Sequence, residues 1–540
     1  MLYSKQPYQI QYTNNQYLKQ ESVVMLKTQK DQLFILIKSL TKAEKRNFRL
    51  YVTRFQSGGD TKFLQLFDAL DRMSEYDEKS VIKKIVSIEK KQLANLKRHL
   101  YKQILTSLRL IHIQKNIDIQ IREQVDFARI LYGKGMYMQS LKILDRIKQI
   151  AVDHHQDVLH LEILEFQKMI EVRHVTHSRQ VENKMERLLM ESLQRSQITH
   201  DINLLSALHI QIHGYYIQYG HTHNKADQAT LLDYFNTHMP DGLDKRQLTF
   251  FEKANLYQSW MWYHYINLDL DRGRESAGQW VNLFMENPHM REKDPDLYIR
   301  SLYYLMVFHF LSAKKEDFHY YLQKMEDFAS THQEDFNDNS SMLICVYSNL
   351  SYLNSYLLKH KFEEGVAQIE TIQKQLLQYN QYIDEYRLLL FDYKFAYLHF
   401  GIGQFEEALD YLNKIVLIKN PQLPKDLQIY ASLLQLICLY ETKQYDLMAY
   451  FISPLSRTIQ KYRGRNKTQS LLLDLLKKIV AIPPSEAATV FTAFRHKELQ
   501  TILNSTFEQK AIRYLRPDVW IKSHTDNCTM KEATLVLENV

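Results

Sequence analysis

Residues 393–421, YKFAYLHFGIGQFEEALDYLNKIVLIKNP, constrain the fold more than any other part of the chain. An apolar helical run ends in a glycine-containing turn, and a second amphipathic run follows at once. Small residues fall where two helices must come close: Ala396 on the first run, Gly403 at the turn, Ala408 on the second. Phe405 lies between turn and helix, placed to wedge the pair. Pro421 closes the unit, because it cannot continue a helix. One helical hairpin cannot bury its own apolar face, so the sequence predicts neighbours of the same kind.

In VDFARILYGKGMYMQSLKILDRIKQIA, the residues Ala128, Gly135, Tyr137 and Ser140 stand where Ala396, Gly403, Phe405 and Ala408 stand. Weaker units begin the packing face of their second helix at Ala277, Phe318, Gly365 and Met448. Along Ala277, Phe318, Gly365, Ala408 and Met448 the separations are 41, 47, 43 and 40 residues. Between Ser140 and Ala277 there is room for about three more hairpins, with candidate helices at 157–175, 178–196, 200–219 and 227–237. This order of small, aromatic and small residues resembles the tetratricopeptide repeat. Asp392 and Phe395 stand where that repeat usually has Trp and Leu, and its standard period of about 34 residues is shorter. The resemblance implies an all-α, tetratricopeptide-like right-handed superhelix of helical hairpins, behind an N-terminal helical head. The run LFILIKSLTKAEKRNFRLY, followed by GGD and FLQLFDAL, resembles the start of uncharacterised tetratricopeptide-like proteins of Bacteroidetes. That likeness implies architecture and a bacterial origin and carries over no functional residue.

Composition agrees with helices. Gly (13) and Pro (10) are scarce in 540 residues, too few for many short strands and their turns. The three cysteines, Cys345, Cys438 and Cys528, form neither a disulfide framework nor a zinc pattern, so reduced thiols in the cytoplasm are expected. No signal peptide or membrane span is evident. The expected organisation is a disordered leader (1–26), with Met25 a candidate start, and a basic helical head (27–115). Tetratricopeptide-like repeats (116–482), a helical cap (483–525) opened by Ser485 as an N-cap, and a tail (526–540) follow.

Charge is unevenly placed. The net charge is +7, yet residues 27–115 alone hold 20 Lys and Arg against 9 Asp and Glu. On the long helix expected from about 90 to 113, Lys91, Arg98, Lys102 and Arg109 fall within about 20° of one line, broadly opposite Leu93, Leu96, Leu100, Ile104 and Ile111. Such a stripe is first of all what a plain solvated face looks like, and it also suits nucleic-acid phosphates or an acidic partner.

Other candidates are unspecific. His209 and His213 share a helix face, but Ile210 stands where a metalloprotease helix needs Glu. Gly58-Gly59 is a turn without the pattern of a phosphate loop. The acidic pairs Glu363-Glu364 and Glu406-Glu407 fit the positive ends of helix dipoles. In Trp260, Trp262, Tyr263 and Tyr265, packing between stacked hairpins is the expectation, and an exposed subset lining a concave groove for a peptide is the alternative. The sequence therefore points to a non-enzymatic interaction scaffold without cofactor or metal, holding a protein or peptide on a concave face. The alternative is a regulator whose basic head binds nucleic acid while the repeats sense a partner.

Overall fold

The computed structural model describes residues 31–55, 61–84, 90–113, 116–174, 183–241, 248–379, 382–418, 425–461 and 466–538. Met25, the Gly58-Gly59 turn and Pro421 lie outside the described residues. The chain is all-α, its helices packed mostly against sequence neighbours as in a helical repeat array. It divides into two compact units, Met1–Ser192 and Leu193–Val540.

In the first unit, α1 (Gln32–Ser39), α2 (Lys42–Phe55), α3 (Thr61–Arg72), α4 (Glu78–Lys84) and α5 (Lys90–His112) enclose one core. Phe48, Leu66, Phe67 and Leu70 meet Leu93, Leu100 and Ile104 there. The start of α2 is a capping box: the Thr41 N–H donates to Glu44 Oε2 (2.8 Å) and the Glu44 N–H to Thr41 Oγ1 (3.2 Å). A second core joins α6 (Ile117–Gly133), α7 (Tyr137–Asp153) and α8 (Asp157–Arg173).

Helix α9 (Lys184–Tyr219) is continuous where two helices, 178–196 and 200–219, were expected. The intervening Ser196-Gln197-Ile198-Thr199 contains neither Gly nor Pro, so nothing forces a break. After α10 (Lys225–His238) the second unit becomes regular. First helices are α11 (Phe250–Ile266), preceding α12 (Leu270–Glu286), and, after the short α13 (Met290–Lys293), α14 (Pro295–Leu311) with α15 (Lys315–His332). The hairpins α16 (Asp338–Lys359) with α17 (Phe362–Leu377), α18 (Glu385–Gly401) with α19 (Phe405–Leu417), and α20 (Lys425–Glu441) with α21 (Tyr445–Lys461) follow. Each first helix from α14 to α20 also packs on the next first helix, the last being α22 (Lys467–Val480).

One turn joins these pairs. Leu268, Ala313, His360, Gly403 and Lys443 are all left-handed, at intervals of 45, 47, 43 and 40 residues. Gly135 closes the α6–α7 hairpin in the same way. At Gly403 (φ 77°) its own N–H donates to Phe400 O (3.1 Å), and the Gln404 N–H donates back to His399 O (3.0 Å). This pair of hydrogen bonds is the Schellman closure, and the second helix starts two residues past the left-handed one. Phe405 and Tyr137 begin second helices with their rings against Phe400 (5.7 Å) and Tyr132 (5.5 Å), wedged as expected.

Five residues past the left-handed residue lies a recurring packing position on the second helix. Ser140, Phe318, Gly365, Ala408 and Met448 occupy it and are all buried, Ser140 donating to Ala128 O at 2.8 Å. The expected register needs correction at one hairpin. The equivalent residue after Leu268 is Gly273, one turn before Ala277. A Cβ on Gly273 would stand 2.1 Å from the Phe308 ring, so any larger residue forces that ring to shift.

The chain continues through α23 (Ala487–His496), α24 (Glu498–Leu503), α25 (Gln509–Leu515), α26 (Pro517–Asp526) and α27 (Met530–Glu538). Ser485 lies inside a 3-10 turn, and Glu486 rather than Ser485 precedes α23. Residues 526–540, expected as a tail, contribute α27 with Ala533 buried. Helix α25 packs on first helices α14, α20 and α22. Tyr393 donates to Tyr514 O (3.0 Å), and Trp520 Nε1 donates to Glu441 Oε1 (2.6 Å). Lys531 pairs with Glu363 (2.7 Å).

Candidate functional site

The face shared by the first helices carries a cavity of about 420 Å³, within the second unit. Its walls are stripes at helical spacing. Helix α14 supplies Arg300, Tyr303, Tyr304 and Val307, which recur every three or four residues and so share one face. Helix α11 contributes Trp262 and Tyr265, α9 His213 and Tyr216, and α16 Tyr347. Helix α18 adds Arg387 and Leu390, and α25 closes one side with Tyr514.

The aromatic cluster divides as the helical period requires. Trp262 and Tyr265 line the cavity, whereas Trp260 and Tyr263 turn away onto Phe235 (4.4 and 4.8 Å). Tyr303 stacks on Tyr347 (4.2 Å between centroids), and Trp262 meets Tyr304 edge-on (5.6 Å). Polar groups converge on the hydroxyl of Tyr347. Arg300 Nη1 donates to it at 3.1 Å and Arg387 Nη2 at 2.9 Å. Arg387 is also paired with Asp384, which caps α18. Burial pushes the phenols of Tyr303 and Tyr304 above their ordinary pKa, so both are neutral donors.

His213 lies 4.5 Å from the Trp262 ring, and burial lowers its pKa. Burial, then the neighbouring His213, takes His209 down to about 4. Among the described residues no three His, Cys, Asp or Glu side chains are grouped to hold a metal ion.

Sequence reasoning missed Arg300 and Arg387. The available signal was a single cation within a tyrosine stripe of an otherwise apolar first helix, as in IRSLYYLMVFHF.

Other hollows are chemically less directed. The one beside Lys148, Lys184 and Arg187 holds Asp145, Glu171 and Glu191 in equal number. The one between α15, α16 and α17, about 620 Å³, is walled mainly by Gln, Ser and Tyr.

In the first unit, Lys91, Arg98, Lys102 and Arg109 are all exposed on α5, while Leu93, Leu100 and Ile104 are buried. Among the described residues none of the four cations forms an ion pair. The repeat-packing residues Ala128, Ser140, Ala396 and Ala408 are buried, and Gly135 and Gly403 occupy the left-handed turns. No helix among the described residues is long and apolar enough to cross a membrane.

No family model matches the chain, and neither a curated protein nor a solved structure matches it.

Proposed function

We propose that the chain is a non-enzymatic interaction scaffold that holds a segment of a protein or peptide in the cavity on its first-helix face. One observation carries this reading: the cavity is built by first helices of successive hairpins, and its walls pair large aromatic surfaces with a few converging donors. Such walls gain contact area at low entropic cost, and the donors fix orientation. The tetratricopeptide identity and a right-handed superhelix with this face concave belong to the same proposal. They are supported by the Schellman turns and small residues at the hairpin crossings. A cytoplasmic location is proposed with them.

The test is affinity capture of the tagged full chain from its native cells, with and without nuclease, beside a Trp262→Ala/Tyr304→Ala variant. A defined protein that survives nuclease and is lost with the variant is expected. A partner set unchanged by the variant would remove the cavity from the interaction.

The exposed stripe on α5 favours a second reading, a regulator whose head binds nucleic acid. Its affinity would fall steeply with salt. Reversing the charge of Lys91, Arg98, Lys102 and Arg109 should abolish nucleic-acid capture, and retention by the reversed chain would sink this reading.

A further inference from the structure

We propose that the cavity between α11, α14, α16 and α18 is a site for a monoanion carried on an aromatic body, a carboxylate attached to a flat ring. This rests on the reading of the same cavity as the binding element.

Arg300 is half-buried; among the described residues no carboxylate forms an ion pair with it, and Asp294, the cap of α14, interacts with it only through the field. Asp384 and Arg387 neutralise each other. Burial keeps His213, Tyr303 and Tyr304 on the neutral side at neutral pH. Asp294 is not part of the lining, so the cavity wall itself carries one cation without a paired anion. A partly desolvated cation is costly until an anion joins it. Tyr347 adds direction. Its hydroxyl oxygen accepts from both guanidinium groups, which fills its two lone pairs and leaves its proton to donate. Two guanidinium groups and one phenol thus present donors at one place, and an acceptor is what they lack.

The body of the ligand follows from the walls. Trp262, Tyr304 and the Tyr303–Tyr347 stack offer edges and faces suited to a further ring. The volume of about 420 Å³ admits one substituted ring with a few waters, at roughly 30 Å³ per water. A phosphate dianion would exceed the single available charge, so a monoanion fits, and we take a carboxylate, which a guanidinium holds in a planar fork.

The ligand could be a free aromatic acid or an aromatic residue at the carboxyl end of a peptide. Calorimetry on the full chain separates these sources with four probes: 4-hydroxyphenylacetate, its neutral amide, N-acetyl-tyrosine and a short peptide ending in tyrosine. The acids should bind at least tenfold tighter than the amide. The free acid binding best indicates a small molecule, and the peptide binding best indicates a chain end. Arg300→Gln should weaken the acids at least tenfold, and Arg300→Lys should restore part of the loss. Val307→Phe, which fills the cavity without altering charge, should block all probes while the unfolding midpoint stays near wild type. Equal binding of acid and amide, no binding by any probe, or indifference to both Arg300→Gln and Val307→Phe would overturn the site. If the acids fail while Trp262→Ala/Tyr304→Ala still abolishes partner capture, this inference falls and the scaffold reading stands. If the acids bind and capture ignores both sets of variants, the reverse holds.

Discussion

Lys394 is a lysine where the fold has no water to give it. It is buried on α18, its Nζ 2.5 Å from Asn354 Oδ1 and above the rings of Phe310 (5.2 Å) and Tyr514 (5.9 Å). Burial takes its pKa from 10.5 down to about 7. Between those values the unfolded chain holds a proton that the folded chain has released, so stability rises with pH across that window. Denaturant unfolding at pH 7 and pH 9 should show wild type gaining on Lys394→Met by on the order of 1 kcal/mol per pH unit. Parallel pH dependence of the two proteins would refute the assignment. A second residue-scale prediction concerns packing. Gly273→Ala forces a methyl into the Phe308 ring and should cost about 1–3 kcal/mol in unfolding free energy. Gly278→Ala, with nothing within 4 Å, should be neutral or slightly stabilising through helix propensity. Equal effects would mean that the α12–α14 contact is loose.

Among the elements, the recurring turn is the most uniform feature, and it uses glycine only at some positions. Ala313 and Lys443 adopt a left-handed φ of 54° and 59°, costing roughly 1–2 kcal/mol for a residue with a Cβ. Ala313→Gly should therefore raise the unfolding free energy by up to about 1 kcal/mol, and Gly403→Ala should lower it by a similar amount. A loss of stability in Ala313→Gly would contradict this account of the turn. The same turn explains what the sequence made legible. At Gly135 and Gly403 the glycine, the following aromatic and the small residue are all present, and both hairpins could be read directly. At Leu268 the backbone keeps the turn while the residue types change, and the packing position slipped by one helical turn from Gly273 to Ala277. Helix α9 has only a weakly one-sided apolar pattern, so its continuity across residues 197–199, where no breaker stands, is not legible locally. The cavity was half legible: the period of α11 separates Trp262 and Tyr265 from Trp260 and Tyr263. Arg300, Tyr347 and Arg387 come together only through the stacking of three hairpins, which no local pattern encodes.

For the second unit as a whole, the decisive feature is the return of residues 509–538 onto the first helices. Trp520 is fully buried, and its indole shares Glu441 with His524 (2.6 and 2.7 Å). Trp520→Ala should cost about 3–5 kcal/mol in chemical denaturation. It should also speed labelling of Lys394 by amine reagents relative to the exposed Lys461, read by mass spectrometry. Unchanged labelling would show that α25 holds its place without α26. Tyr514, at the end of α25, completes a wall whose other members lie between residues 213 and 390. The cavity is therefore finished late in the life of a nascent chain. While the ribosome is still adding residues beyond 390, the tyrosines and arginines of the earlier hairpins stand without their lid. On the proposed reading, ligand affinity is acquired only after residues 509–515 emerge, so a product terminated before them should be released without a completed site.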